Sequence, residues 1–360
     1  MSEAAILVGL GPLDELRELA VTAGARVVAE FIQHRDTPDV TYFIGKGKAS
    51  EIRDEVLLRG ADLVIFDEEL SPSQTRNLER LLETKVIDRT GLILDIFSRR
   101  AHTREGQLQV ELAQLNYRLS RLAGRGEWLS RLGGGIGTRG PGETQLEVDR
   151  RRIRSRVARL GREIEQVRKH RQLHRAQRKR NRLPTVSLVG YTNAGKSTLF
   201  ESLSGQRTLV SDRLFATLDP LVRRIRLDAG TEVLVSDTVG FIRKLPHDLV
   251  TAFRATLEEV TASDLILHVI DIADPEHAEK IQVVEEVLED LGCAGHAQIR
   301  VYNKCDLAQG GSETRTDGIR VSALSGEGIA RLKEWIVEEL RRPGSNRGTQ
   351  RRKERSVTDG

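Results

Sequence analysis

Residues 190–197 combine two glycines, a lysine and a serine at a spacing that suits phosphate binding. They read Gly-Tyr-Thr-Asn-Ala-Gly-Lys-Ser, follow an apolar run at 186–189 and precede a helix-compatible run. Glycines allow backbone N–H groups to close around phosphate oxygens, and the N-terminus of the following helix adds positive potential. The segment therefore predicts a P-loop, whose expected ligand-contacting residues are Gly190, Tyr191, Thr192, Asn193, Ala194, Gly195, Lys196, Ser197 and Thr198.

A bound phosphate chain needs a cation, and three residues have the right chemistry to hold Mg²⁺. The Ser197 hydroxyl is expected to ligate the metal while Lys196 reaches the β- and γ-phosphates. Asp237 begins an Asp-Thr-Val-Gly segment after a predicted strand and should hold the metal through a water, and the Gly240 N–H should meet the γ-phosphate. Thr217 completes the expected metal set, with Thr208 as the alternative threonine.

An Asn-Lys-Cys-Asp segment at 303–306 indicates which base is bound. The Asp306 carboxylate can accept two hydrogen bonds from the N1 and N2 edge of guanine, which adenine cannot donate. Asn303 should brace the loop, and the Lys304 stem should cover the base. After a later predicted strand, the Ala323 N–H is placed to meet guanine O6, and the expected set there is Ser322, Ala323 and Leu324.

Two positions in these motifs are unusual. Many GTPases carry a water-orienting glutamine directly after the switch glycine, but this chain has Phe241 there. We therefore assign no catalytic residue, and we expect hydrolysis to be slow unless a partner positions the water. Asn193 has two open interpretations: a side-chain ligand for K⁺ beside the phosphates, or a structural loop asparagine.

The elements that must carry these motifs alternate between strand and helix. In residues 1–103, predicted strands fall at 6–8, 26–32, 63–66 and 85–88, and predicted helices at 13–23, 48–59 and 71–83. This order predicts a small parallel α/β sheet. A second α/β domain is predicted over 183–341, with strands at 186–189, 222–227, 232–236, 265–270, 299–303 and 319–322 and helices at 247–260, 275–291 and 329–340. A basic tail at 342–360 is expected to be disordered.

Residues 104–182 have a different pattern. Leucines from Leu108 to Leu122 recur at alternating spacings of four and three, and a similar series runs from Leu146 to Val167. The two runs predict an antiparallel helical hairpin, interrupted by a glycine-rich break at 124–142. That break is either a flexible connector or a loop that brings its backbone to RNA phosphates, and its candidate RNA-binding residues are Arg125, Arg131, Gly134, Gly135 and Arg139.

The second run of the hairpin is strongly basic. Residues 149–182 hold fifteen Lys or Arg against three acidic residues, although the whole chain has a net charge of only +4. This stripe predicts phosphate contacts with nucleic acid, for which Arg151 and Arg152 are candidates, and the alternative is a solvated helix face. Only 4% of the 360 residues are aromatic, so base-stacking platforms are scarce.

Other features of composition limit the class of protein. Two cysteines, Cys293 and Cys305, allow no disulfide framework and no cysteine-based zinc site. The N-terminus lacks a basic segment followed by a long apolar core, and no apolar run reaches membrane-spanning length. We expect a cytoplasmic monomer.

Several longer motifs resemble the HflX family of translational GTPases. They are Phe-Ile-Gly-Lys-Gly-Lys at 43–48, the segment at 88–97, Gly-Gly-Gly-Ile-Gly-Thr-Arg-Gly-Pro-Gly-Glu-Thr-Gln at 133–145 and Asp-Thr-Val-Gly-Phe-Ile at 237–242. The resemblance implies an N-terminal domain, a helical linker and a GTPase domain. It further implies binding to the large ribosomal subunit, a linker loop near the peptidyl transferase centre and splitting of stalled ribosomes. Some members carry an extra C-terminal domain, and functions tied to it are not implied here.

Three functions agree with the motifs to different degrees. The leading hypothesis is a GTPase that splits or remodels stalled ribosomes. The second is a GTP-regulated RNA-binding or ribosome-assembly factor without splitting activity, which shares every motif. The third, a purine-nucleotide kinase or an ATP-driven helicase, is disfavoured by the Asn-Lys-Cys-Asp motif at 303–306.

Overall fold

A computed structural model describes residues 2–35, 37–122, 141–180, 183–206, 214–215, 217–219, 221–244, 259–307 and 317–342. The described residues divide into two compact units, within 2–167 and 168–342. Among these residues, no helix is both long enough and apolar enough to cross a membrane.

The first unit contains a four-stranded parallel sheet. Its strands are β1 (Ala4–Gly9), β2 (Arg26–Ile32), β3 (Leu63–Phe66) and β4 (Lys85–Asp88), in the order β2-β1-β3-β4. Helices α1 (Asp14–Thr22), α2 (Lys46–Arg59) and α3 (Pro72–Leu82) connect them. Each connection returns the chain to the same end of the sheet, as parallel pairing requires. The predicted parallel α/β fold of this part is confirmed, with ends shifted by one or two residues.

Local capping chemistry determines where α3 begins. The Ser71 side chain accepts a hydrogen bond from the Gln74 amide, and the Gln74 side chain accepts one from the Ser71 amide. Pro72 occupies the first turn, where its missing N–H has no cost. The predicted helix start at this Ser-Pro pair is therefore correct.

The sequence prediction missed one helix in this unit. Helix α4 (Arg89–Arg100) follows β4 directly, and the Asp88 side chain caps it by accepting from the Gly91 amide at 2.9 Å. Its apolar residues, including Leu92, Ile93 and Phe97, are buried. Their dense run lacks a clear helical period, which is why the pattern did not predict a helix.

The next two helices pair in opposite directions. Helices α5 (Arg104–Leu122) and α6 (Pro141–Arg180) are joined by side-chain hydrogen bonds. Arg104 donates to Glu163 at 2.9 Å, Arg156 to Glu111 at 2.6 Å and Arg150 to the Leu122 carbonyl at 3.5 Å. Because sequence position rises along one helix and falls along the other, the hairpin is antiparallel, as predicted.

The glycine-rich break, predicted over 124–142, ends before Pro141. Helix α6 begins at Pro141, since proline suits the first turn of a helix. Residues 123–140 lie outside the described residues, and so do the candidate RNA-binding residues Arg125, Arg131, Gly134, Gly135 and Arg139.

The second unit contains a six-stranded sheet. Its elements are β5 (Thr185–Gly190), α7 (Lys196–Ser204), β6 (Leu221–Arg226), β7 (Glu232–Asp237), β8 (Leu265–Asp271), α8 (His277–Asp290), β9 (Gln298–Asn303), β10 (Gly318–Arg320) and α9 (Ile329–Arg341). The strand order is β10-β9-β8-β5-β7-β6, and all neighbours are parallel except β6 and β7. The parallel strands end at one edge, which is where ligands bind in such sheets.

Two further predictions differ or lie outside the described part. The strand predicted at 319–322 ends at Arg320; the Val321 amide still donates to the Tyr302 carbonyl at 2.8 Å, and a turn begins at Ala323. Most of the helix predicted at 247–260 and nearly all of the tail predicted at 342–360 fall outside the described residues.

Candidate functional site

A cleft opens at the carboxyl edge of the second sheet. Five segments form it: the loop after β5 with the start of α7, the segment before β6, the segment after β7, the loop after β9 and the loop after β10. The residues that line it are Thr192, Asn193, Gly195, Lys196, Ser197, Thr198, Phe215, Thr217, Thr238, Gly240, Asn303, Lys304, Asp306, Leu307, Ala323 and Leu324.

Most of the residues predicted to contact a nucleotide line this cleft. The predicted residues that do not line it are Gly190, Tyr191, Ala194, Asp237 and Ser322, which are buried beside it. Three lining residues were missed: Phe215, Thr238 and Leu307. Their position in the sequence could have indicated them, because each lies within two residues of a predicted site residue.

Lys196 is buried at the base of the P-loop. Its Nζ donates to the carbonyls of Gly190 at 3.0 Å and Tyr191 at 2.7 Å. Burial lowers the pKa of Lys196 to about 8, and the nearby Asp237 carboxylate partly offsets this effect. The ammonium group is thus held inside a loop of backbone dipoles, where an anion would compensate its charge.

Two glycines allow the loops to approach each other closely. Gly195 has φ of 87°, and a Cβ there would lie 2.2 Å from Asn303 Nδ2. A Cβ at Gly240 would lie 2.9 Å from both Lys196 Nζ and Thr192 Cα. Any side chain at Gly195 would therefore be strained by its backbone and would collide with the base loop.

The three residues predicted to hold Mg²⁺ meet in one cluster. Ser197 Oγ lies 2.7 Å from Asp237 Oδ2 and 2.9 Å from Thr217 Oγ1, and Thr217 Oγ1 lies 3.1 Å from the same carboxylate oxygen. The other oxygen, Asp237 Oδ1, is buried without a hydrogen-bond partner among the described residues. Burial raises the pKa of Asp237.

This cluster fits a hard cation. It offers hydroxyl and carboxylate oxygens, the ligand type that Mg²⁺ prefers, and within the described part of the chain Asp237 Oδ1 accepts no hydrogen bond. Mg²⁺ keeps several waters, so a few protein oxygens suffice. The alternative threonine, Thr208, lies outside the described residues.

Asn303 connects the phosphate loop to the base loop. Its Nδ2 donates to the Ala194 carbonyl at 2.9 Å, and its Oδ1 accepts from the Ala323 amide at 3.0 Å. Lys304 is held by Asp271, with 2.6 Å between Nζ and Oδ2. Asp306 is exposed at the rim, flanked by the exposed leucines Leu307 and Leu324. The bracing role predicted for Asn303 thus has a geometric basis.

The two unusual positions have distinct surroundings. Phe241 is 2% exposed and does not line the cleft, so its ring belongs to the core. Asn193 is exposed and has φ of 62°, a left-handed conformation in which asparagine is enriched. The backbone thus gives a structural reason for an asparagine at 193.

On the basic helix α6, the two described candidates for RNA binding face solvent. Arg151 and Arg152 are exposed, as are Arg154 and Arg162. Arg156 differs, because its guanidinium lies against Glu111 of α5, with the shortest distance at 2.6 Å. The helix therefore presents several exposed arginines, while Arg156 is held in the hairpin.

Three protein families match consecutive parts of the chain. Residues 11–98 match the family described as GTP-binding GTPase N-terminal, and residues 100–178 match GTP-binding GTPase Middle Region. Residues 185–304, which contain the P-loop and Asn303, match the family described as 50S ribosome-binding GTPase.

Individual proteins agree with these matches. A GTPase HflX of Caldanaerobacter subterraneus subsp. tengcongensis is 55% identical over 328 residues, covering 91% of this chain and 77% of that protein. The GTPase HflX of Escherichia coli K12 is 48% identical over 335 residues, covering 91% and 79%. The crystal structure of SsGBP with GDP is 26% identical with a TM-score of 0.53, covering 93% and 98%. The chain belongs to the HflX family of P-loop GTPases.

Proposed function

We propose that this GTPase binds GTP and GDP in the cleft of the second unit and that the triphosphate form acts on ribosomes. The cluster of Ser197, Thr217 and Asp237 carries the first part of the proposal, because three oxygens from separate segments converge beside the buried Lys196. The geometry suits a metal-bound polyphosphate.

The phosphate, metal and base contacts of this scheme fall to different residues of the site. Lys196 pairs with the β- and γ-phosphates, and the Gly240 N–H donates to the γ-phosphate. Ser197 and Thr217, with Asp237 acting through a water, would hold Mg²⁺, which would supply positive charge beside the phosphate oxygens. Asp306 accepts from the N1 and N2 groups of guanine, with the Lys304 stem over the base and the Ala323 N–H directed at O6.

Hydrolysis in the free protein should be slow. Phe241 has no group that could orient water, and its ring is buried away from the cleft. Water must therefore be positioned by another group or by a partner that orders the cleft. The Asn193 side chain is exposed at the rim, and a K⁺ ion bound there would add charge beside the phosphates.

We further propose that the partner is the large ribosomal subunit and its RNA. The match to a family described as 50S ribosome-binding GTPase supports this, and so does the row of exposed arginines on α6. Arg151 and Arg152 would contact RNA phosphates, and the glycine-rich loop with Arg125, Arg131, Gly134, Gly135 and Arg139 would approach RNA closely and remodel it. In a cytoplasmic monomer, the N-terminal domain would span residues 1–103, the helical linker residues 104–182 and the GTPase domain residues 183–341.

Cosedimentation with purified ribosomal subunits tests the partner. The expected result is nucleotide-dependent binding to the large subunit, stronger with a non-hydrolysable GTP analogue than with GDP. Binding only to the small subunit, or none with any nucleotide, would contradict the proposal. Stable binding without separation of intact ribosomes would instead favour the assembly-factor alternative.

A further inference from the structure

The first residues of the P-loop are paired with the segment that follows Asp237. Residues 240–243 form this switch segment. The Phe241 amide donates to the Gly190 carbonyl at 3.1 Å, and the Thr192 amide donates to the Phe241 carbonyl at 2.7 Å. Tyr191 and Phe241 therefore form a parallel bridge, like one rung of a sheet. This pairing brings Gly240 against Lys196 and Thr192.

Tyr191 extends the pairing beyond the backbone. Its hydroxyl accepts a hydrogen bond from the Arg243 amide at 2.8 Å, while its ring is buried beneath Lys280, whose Nζ lies 5.2 Å from the ring centroid. The backbone turns into the left-handed region at Lys244, where φ is 52°. The phenol thus holds the last residue of the switch segment.

The Arg243 side chain pairs with one carboxylate of α8 and with one carboxylate directly before that helix. Its guanidinium lies 2.6 Å from Glu279 and 3.3 Å from Glu276. Lys280 on the same helix pairs with Asp274 at 2.5 Å. Arg243 is therefore held from two directions, by the Tyr191 hydroxyl through its backbone and by α8 through its side chain.

We propose that Tyr191 is a positioning residue for GTP hydrolysis, acting through the switch segment and not through contact with the nucleotide. The proposal rests on the nucleotide site assigned above. A diphosphate needs only the P-loop, whereas the γ-phosphate also needs the Gly240 N–H. The bond from Arg243 to Tyr191 keeps those two segments together, so it should favour the triphosphate and the hydrolysis step over the diphosphate.

The variant Tyr191→Phe tests this, because it removes the acceptor and keeps the ring. One hydrogen bond typically contributes about 1 kcal/mol, so we expect a reduction of about three- to tenfold in kcat/KM for GTP and in affinity for a non-hydrolysable GTP analogue. Affinity for GDP should change by less than about twofold. Equal reductions for GDP and the analogue would indicate a merely structural role and overturn the proposal, as would no reduction at all.

Two controls sharpen the result. Tyr302→Phe removes another buried phenol of the same sheet, one that donates to Asp317 at 2.9 Å, and it should change neither nucleotide affinity nor kcat/KM. Arg243→Ala keeps the backbone amide and removes the ion pairs, so it measures the contribution of the ion pairs separately from that of the phenol. If Arg243→Ala showed the selective loss of triphosphate affinity and Tyr191→Phe did not, the ion pairs and not the phenol would position the switch segment.

A fourth variant separates this inference from the site assignment. Lys196→Ala should abolish tight triphosphate binding whatever Tyr191 does. If Lys196→Ala binds GTP normally, the nucleotide site itself is wrong. If Lys196→Ala no longer binds GTP and Tyr191→Phe behaves like the parent, only the role of Tyr191 is refuted.

Discussion

Base selectivity should depend on one carboxylate, Asp306, at the rim of the cleft. Replacing it with asparagine exchanges one acceptor for a donor, which matches xanthine better than guanine. We expect Asp306→Asn to lose GTP affinity and gain affinity for xanthosine triphosphate, as measured by competition against a fluorescent nucleotide. Full GTP affinity in this variant, without a gain for xanthosine triphosphate, would refute the assignment.

His268 should make the stability of the protein sensitive to acid. It is 1% exposed in β8, and its Nδ1 has no hydrogen-bond partner among the described residues. Burial lowers its pKa from 6.5 to about 3, and the charges of Arg300 and Lys196 add to this effect. Between these values the unfolded chain binds a proton that the folded chain does not. The free energy of unfolding should therefore fall as pH drops below about 6.5, by at most about 1.4 kcal/mol per pH unit.

The variant His268→Gln should show a shallower acid dependence of urea unfolding between about pH 6.5 and pH 4. Identical slopes in the parent and in His268→Gln would mean that the imidazole does not contribute.

Residues that line the cleft could be predicted from the sequence where they belong to short motifs, because such motifs place their residues together locally. The residues from Lys196 to Thr198 and the Asp306 carboxylate are of this kind. The hydrogen bond between Tyr191 and Arg243 was not predictable, since it joins residues 52 positions apart through one phenol. No periodicity or motif encodes such a pair.

Helix α5 is anchored to the first sheet by the end of β4. Asp88 is 1% exposed and accepts from the Tyr117 hydroxyl at 2.7 Å, the Gly91 amide at 2.9 Å and the Arg121 guanidinium. Gly91 leaves room for the phenol, because a Cβ there would lie 2.8 Å from the Tyr117 oxygen. Burial and the Asp88 charge raise the pKa of Tyr117, so the phenol remains a donor.

Removing this buried charge should loosen the hairpin from its base. We expect Asp88→Ala to lower the free energy of unfolding by about 3–5 kcal/mol, because Arg121 and Tyr117 lose their partner. Hydrogen exchange at the backbone amides of α5 should become faster in the same variant. Asp95→Ala removes a half-exposed carboxylate paired with Arg99 and should cost less than about 1 kcal/mol. Equal effects in the two variants would contradict the anchoring role.

The exposed arginines of α6 should determine how RNA affinity depends on salt. Removing one arginine that binds a phosphate reduces the slope of log affinity against log salt by about 0.7–0.9. Replacing Arg151, Arg154 and Arg162 with glutamine should flatten the slope by about two and weaken binding, as measured by filter binding to ribosomal RNA. Arg156→Gln is the matched control, since that guanidinium faces Glu111 in the hairpin. An unchanged slope in the triple variant would mean that these arginines form a solvated helix face and do not contact RNA phosphates.

Helix and strand positions could be predicted wherever apolar periodicity was clear. The leucine series of α5 and the alternating elements of the first sheet are examples. Helix α4 was missed because the apolar residues from Leu92 to Phe97 follow one another too densely to show a period. The start of α6 was missed because Pro141 lies between two glycines, a composition that is equally typical of a loop.

GTP turnover by the whole protein should depend on the ribosome. Because Phe241 supplies no water-orienting group, we expect slow hydrolysis by the free protein and strong stimulation by large ribosomal subunits. Phosphate release measured with and without subunits tests this. A turnover rate that does not change when ribosomal particles are added would contradict this prediction.

Exchanging K⁺ for Na⁺ in the same assay tests the cation proposed at Asn193. Equal rates in the two salts would mean that Asn193 has only a structural role.

We propose that the GTP-bound chain separates the subunits of intact ribosomes and that the segment between α5 and α6 is needed for this separation. Sucrose-gradient sedimentation of intact ribosomes with a non-hydrolysable GTP analogue measures this directly. The parent protein should convert intact ribosomes to free subunits with the analogue and not with GDP. A variant lacking residues 134–139 should still bind GTP and ribosomes but leave them intact. Intact ribosomes with the parent protein, or equal splitting by the deletion variant, would contradict the account.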